Sequence, residues 1–520
     1  MTVPHSAQPK HPSPAQAHAP HTLEDALRDL VRNSPYLVAS ASLHLLVALL
    51  FLGLPARAER IDPEHIIRAE RTPEPEPPLR EEPTPPTPVE APVPVESPEV
   101  VESPAPPDEV AAEASALAEV PFATNPTAQP VWLGVGASPG EIGGGSPLRG
   151  RGGEAGAPTV AAIERALRWL ACHQAEDGRW SAAAFDAECG KQGEGTCTGS
   201  GAPLHDVGTS ALALLAFLGA GHTPAAGDHR GAVKRGLRWL AQQQDTVTGA
   251  FGEARFAQHT YGHALATIAM IEAYEATRAF LYRTRANAGL AYLHAIRNPG
   301  RAWRYTPGMP EMDDPLTSND TSVTSWAVLA SALGRDAGLV HDEDALQDAL
   351  AFLDEMTDPR TGRTGYMTRG GPSARERGLA QSFPAEESEA LTAAAALVRI
   401  FADPDLERPG ARAAVTAGLR LVALRPPRWD DERPGARDFY HWYYGTYALY
   451  QGQGLVDGAW RRWESALAEA VLAHQELQGE ACGSWEPDSA WGPVGGRVYA
   501  TALLTLCLEV HFRYPSVMGG

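Results

Sequence analysis

Positive charge is scarce in this 520-residue chain: 43 lysines and arginines stand against 64 aspartates and glutamates, a formal net charge of -21. A nucleic-acid partner needs a basic face to neutralise phosphates, so this balance excludes that class. Acidity otherwise favours solubility and says little about fold. Cysteine is scarce too, and five in this length cannot staple a disulfide-built scaffold. Formal charge is missing altogether from Tyr36–Leu54, YLVASASLHLLVALLFLGL. As helix, its 19 residues span roughly 30 Å, one hydrocarbon core. A membrane-crossing helix is therefore expected over 36–55, after an N-terminal cytoplasmic tail at 1–35. Arg28 and Arg32 precede the run and Arg57 and Arg60 follow it, so flanking charge does not orient it. The A-x-A triplet at Ala56-Arg57-Ala58 has the look of a signal-peptide cleavage site. The run is longer than a signal peptide's apolar region and begins only after 35 residues, which favours a retained anchor.

Composition is uneven beyond the anchor. Residues 56–156 form a linker, first rich in proline and glutamate (Thr72–Pro107) and then in glycine (Gly134–Gly156). Proline fixes φ and removes a donor, which leaves a disordered, semi-rigid polyproline spacer. Its 36 residues reach roughly 110 Å at full extension. Within the apolar run, His44 is costly in lipid and therefore a functional candidate, or else a helix-packing histidine. The pattern Ser40-x-x-x-His44 followed by Leu45, Leu46 and Leu49 resembles the transmembrane helix of TonB-type energy transducers. That resemblance implies proton coupling through Ser40 and His44 to an ExbB/ExbD-like motor. It also implies a bacterial inner-membrane location, single-pass, with the C-terminal domain periplasmic.

From 157 to 515 apolar residues recur at helical spacing, and twelve helices are expected in pairs. First helices should start near Thr159, Gly231, Ala286, Asp342, Ala411 and Trp460. Second helices should start near Asp206, Tyr261, Asp320, Glu387, Phe439 and Gly496. First helices such as AAIERALRWLACHQ are amphipathic. Second helices such as GTSALALLAFLGAG and EALTAAAALVRIF are apolar or small nearly all round, and must be buried on every side. Six buried helices alternating with six half-exposed ones predict two concentric rings, an all-α (α/α)6 toroid of six helical hairpins.

The loops within the pairs carry a glycine-then-aromatic signature. Gln174, Gly178 and Trp180 fit Q-x-x-x-G-x-W; Gln244, Gly249 and Phe251 are a looser copy; Trp303, Tyr366 and Trp485 echo it. This resembles the QW repeat of squalene and terpenoid cyclases, whose superfamily includes the protein prenyltransferases. The resemblance implies isoprenoid chemistry, and the acid and metal sets test it. The aspartate-rich cyclase acid motif aligns with Thr317-Ser318-Asn319-Asp320, where only Asp320 is acidic. The prenyltransferase zinc motifs align with Asp320-Thr-Ser322 and Asp438-Phe-Tyr-His441, placing Asp320 and His441 at ligand positions but serine at the thiolate. Asp320 and His441 are thus the catalytic candidates; no metal is expected and no cofactor is identified. Asp320 is equally suited to cap a helix, and His441 to pack among its aromatic neighbours.

All second helices enter from one end, so their N-termini converge and favour anions there. Residues expected to bind ligand at that mouth are His205, Asp206, His263, Trp326, Glu387, Tyr444 and Arg497. An apolar tube with a polar mouth suits an isoprenoid, another lipid or a peptide. Among the cysteines, Cys189 and Cys197 are expected to pair in an oxidising compartment, with Cys172 and Cys482 tying the first hairpin to the last. The competing reading is a thiolate zinc site with His173. Three functions follow: a membrane-anchored extracytoplasmic toroid that binds an apolar or peptide ligand, an isoprenoid-active enzyme, or a structural, energy-transducing envelope protein.

Overall fold

The computed structural model describes residues 148–514 apart from 191–194, 255–257, 299–300, 306–318, 377 and 433, with side chains from 156 onward except at 434. The apolar run with Ser40 and His44, and most of the linker, lie outside the described residues. Among the described residues no helix is long and apolar enough to cross a membrane.

The described chain is helical, with isolated β-bridges and no strand. The outer helices are α1 (Leu148–Cys172), α3 (Arg230–Gln242), α5 (Phe280–Ala295), α7 (Glu343–Met356), α9 (Ala411–Ala423) and α11 (Ala459–Leu472). The inner helices are α2 (Asp206–Gly219), α4 (His259–Thr277), α6 (Thr321–Asp336), α8 (Ala390–Ala402), α10 (Phe439–Gln451) and α12 (Gly492–Leu508), and a last turn, α13, covers Val510–Arg513. Each inner helix packs on the next inner helix, and α12 packs back on α2, so the ring closes. Burial follows the division. Every residue of α8 and α10 is buried, whereas α7 buries one stripe: Ala345, Leu346, Ala349, Leu350, Phe352 and Leu353.

Four helix starts differ from expectation. Helix α1 begins at Leu148 rather than near Thr159 and α12 at Gly492 rather than at Gly496, each with a non-helical glycine inside, Gly156 and Gly496, where two helices join. Arg278 adopts φ 55°, which turns the chain at once from α4 into α5, so that helix begins at Phe280 rather than near Ala286. Glu387 lies in a 3-10 turn, Ala385–Glu387, and α8 begins at Ala390. Glu389 stands at the N-cap without a side-chain cap bond, its carboxylate accepting instead from Thr392 Oγ1 at 2.8 Å.

The Q-G-W signature is a clamp between neighbouring hairpins. Gln174 Nε2 donates to Gly178 O in its own loop and to Ala232 O on the next outer helix, at 2.8 and 2.9 Å. Gln244 makes the same pair of bonds, to Gly249 O and Arg285 O. Trp180 Nε1 caps the carbonyl of Leu170 at 2.7 Å, and Trp303 Nε1 and Trp485 Nε1 do the same for Leu293 and Val471. One complete clamp escaped the sequence reading. Gln475 Nε2 donates to Gly483 O and Ala162 O, both at 2.9 Å, and Arg165 Nε donates to Gln475 Oε1 at 2.8 Å. This clamp joins the sixth hairpin to the first and seals the ring. Gly483 (φ 100°) must be glycine there, because a Cβ would stand 2.3 Å from Arg165 O.

At the C-terminal ends of the inner helices an ionic cluster forms. Arg513 binds Glu272 and donates to Leu215 O at 3.0 Å, and Tyr514 Oη donates to Glu272 at 2.9 Å. Burial pushes the carboxyls of Glu272 and Glu509 upward against the Arg513 charge.

Candidate functional site

A cavity of about 600 Å³ opens at the other end, where the first turns of α2, α4, α6, α10 and α12 meet. The sixth side is closed by the α7–α8 loop, which contributes Tyr366, Ala374, Arg375 and Glu376. Convergence of inner-helix starts is thus what shapes the site, as the hairpin alternation requires.

The walls are phenols and apolar groups: Tyr261, Tyr305, Tyr366, Tyr440 and Tyr499 with Trp326, Leu265 and Leu503. Trp326 stacks on Tyr443 with centroids 5.5 Å apart and leans on Tyr440 and Tyr444. Ser322 bonds the hydroxyls of both Tyr261 and Tyr440, the latter at 3.0 Å, and so links α4, α6 and α10. Burial pushes the phenols up, Tyr305 to about 12, and keeps them neutral hydroxyls. Two lining residues carry buried polar atoms without a protein partner, His259 Nε2 and Tyr499 Oη.

Asp320 stands one layer behind this wall. Its Oδ1 accepts from Val323 N at 2.8 Å, which makes it the N-cap of α6, while its buried Oδ2 has no partner. Burial raises its carboxyl to about 7, opposed by bonds from the Val323 and Ser322 amides. The carboxyl is electrostatically coupled to Tyr261, Tyr305 and Tyr366, all on the cavity wall.

The other expected residues divide. His205 lines the cavity, and burial lowers its pKa. Trp326 lines it, and Tyr444 packs edge-on behind Tyr440 at 5.0 Å. Asp206 instead accepts from Ser181 Oγ and Ala182 N. His263 accepts from Phe251 N and donates to Gly289 O, locked between α4 and α5, with burial lowering its pKa to about 3. His441 turns outward. Its Nε2 donates to Arg425 O at 2.9 Å and its ring lies edge-on to Trp463. Asp320 and His441 are therefore not brought to one cavity. Glu387 is an exposed partner of Arg425. Arg497 ties Thr198 O, Ser484 Oγ and Glu486 together at the seam.

The mouth is not the anion trap that the helix dipoles alone imply. Asp320 and Asp438 already cap α6 and α10. Glu253 and Glu376 line the cavity, and its one described cation, Arg375, is held by Asp438 at 2.9 Å. The tyrosines were legible only indirectly: Tyr366 belongs to a Gly-aromatic echo and Tyr305 follows another, but periodicity did not say that they face inward.

All five cysteines are free thiols. Cys482 is exposed and Cys172 half-buried, while Cys189 and Cys197 face His173.

No family model matches the chain, and no curated protein matches it. Solved structures do. The type II terpene cyclase MstE from Scytonema is similar at 13% identity and a TM-score of 0.43, over 68% of this chain and 97% of that one. An unsaturated glucuronyl hydrolase specific for heparin is similar at 12% identity and a TM-score of 0.47, over 68% and 96%. A protein from Actinoplanes is similar at 14% identity and a TM-score of 0.40, over 68% and 98%. Likenesses at this level carry no argument about activity.

Proposed function

We propose that the toroid takes an uncharged isoprenoid, or an apolar chain of similar bulk, into the phenol-lined cavity. One observation carries this reading: the cavity is large, its walls are aromatic and aliphatic, and its lining charge is acidic. A prenyl diphosphate would meet Glu253 and Glu376 with Arg375 already committed, so the reading favours a ligand without phosphates. In this reading the apolar run 36–54 anchors the chain to a membrane, with the toroid outside the cytoplasm on its linker, where such ligands partition. Coupling through Ser40 and His44 to a proton-driven motor belongs to the same proposal.

A second reading, acid-initiated isoprenoid chemistry, draws support from Asp320. A carboxyl that titrates near 7 keeps a proton in about half of the molecules at neutral pH, and aromatic faces stabilise cations formed beside them. Asp320 does not line the cavity and its Oδ2 has no hydrogen-bond partner among the wall phenols, so this reading requires the wall to part when substrate enters.

The test is organic extraction of the purified chain followed by mass spectrometry, then incubation with a neutral polyprenol while tryptophan fluorescence is recorded. Binding is expected to perturb Trp326 and to be lost in Trp326→Ala. A chain that carries no lipid, and whose fluorescence is unmoved by polyprenols, refutes the ligand class. A rearranged product would establish the second reading over the first.

A further inference from the structure

Outside the cavity, the first hairpin holds a cluster that nothing above uses. His173 ends α1. Its Nδ1 lies 2.9 Å from Trp169 O, and a carbonyl only accepts, so Nδ1 carries the proton. The neutral ring therefore presents a bare lone pair at Nε2. That atom stands 3.3 Å from Cys189 Sγ and 3.5 Å from Cys197 Sγ. All three ligand atoms lie within 4.8 Å of one another. The ring cannot turn away, because it stacks on Trp169 at 4.2 Å and abuts Phe185. A further feature suits a thiolate: Cys197 N donates to Cys189 Sγ at 3.2 Å. Beyond Cys197, Arg497 holds Thr198 O at 2.7 Å, so the sequence after the second thiol is fixed to α12. On the near side, Gly190 N donates to Glu480 in the last hairpin's loop.

We propose that His173, Cys189 and Cys197 bind a zinc ion, with water in the fourth position, and that this ion ties both thiols to the end of α1 beside the ring seam. Tetrahedral zinc with Zn–S of about 2.3 Å and Zn–N of about 2.0 Å sets N···S edges of about 3.5 Å. The observed 3.3 and 3.5 Å separations match those edges without movement of the ring. Binding replaces two S–H bonds by two Zn–S bonds and releases two protons, while the imidazole enters as the neutral ligand it already is. Its Nδ1–H bond to a backbone carbonyl is the outer-shell partner that metal-bound histidines use. The rival use of the two thiols is a Cys189–Cys197 disulfide, which would leave the Nε2 lone pair without a partner.

The test uses the full chain, purified anaerobically in detergent, stripped with a chelator and titrated with cobalt(II) and then zinc. A thiolate-to-cobalt absorption band that saturates at one metal per chain is expected, with proton release on zinc binding. Cys189→Ser and Cys197→Ser should abolish the band, while Cys172→Ser and Cys482→Ser should keep it. Should the first two variants fail to fold, the wild-type titration alone decides. No thiolate band in the stripped wild type overturns the proposal. So does a Cys189–Cys197 disulfide in the anaerobic protein as isolated, or a band that persists in both serine variants.

Discussion

Asp320→Asn replaces a titrating carboxyl by a neutral side chain of the same shape at the start of α6. Asparagine caps a helix about as well as aspartate, so the bond to Val323 N survives. What changes is the response to pH. The folded carboxyl titrates at about 7, against its ordinary 3.8. A raised acid pKa means that the folded chain holds a proton the unfolded chain has lost. Stability from this group is therefore full below 3.8 and falls as pH rises through about 7. At about 1.4 kcal/mol for each pH unit, the loss across that window approaches about 4 kcal/mol. The variant has no such term. Urea unfolding of wild type and Asp320→Asn should show a stability gap in favour of the variant that widens from pH 4 to 7 and then levels off. A gap that does not change with pH, or a variant less stable than wild type at pH 7.5, refutes the assignment of a buried, proton-holding Asp320.

Three further outcomes are expected. Gln475→Ala removes three bonds, the two across the seam to Ala162 O and from Arg165 Nε and the one to Gly483 O in its own loop, so it should cost about 2–4 kcal/mol in chemical denaturation. Gly483→Ala should cost about 3 kcal/mol, because it forces a side chain into a left-handed position against Arg165 O, and calorimetry should show it. His441→Ala should lower stability by about 1–3 kcal/mol through loss of the Arg425 bond, yet leave polyprenol affinity unchanged in the fluorescence assay.

The sequence by itself determined the all-helical architecture and the alternation of outer and inner helices. A helix apolar on all sides has nowhere to go but a buried layer, and α8 and α10 are buried at every residue. It also determined several helix starts, because Asp320, Asp342 and Asp438 are caps whose chemistry acts within three residues. Only the tertiary structure decided which polar groups face the cavity. An all-round apolar helix has no polar stripe to orient it, so nothing local distinguishes His205, which lines the site, from His263 and His441, which are spent on Gly289 O and Arg425 O. The ring seam was equally out of reach, since Gln475 and Ala162 lie 313 residues apart and their bond exists only once twelve helices have closed. By contrast His173, Cys189 and Cys197 lie within 24 residues of one another, and the first hairpin's own loop brings their ligand atoms together, with Gly190 N tied to Glu480 of the last hairpin's loop.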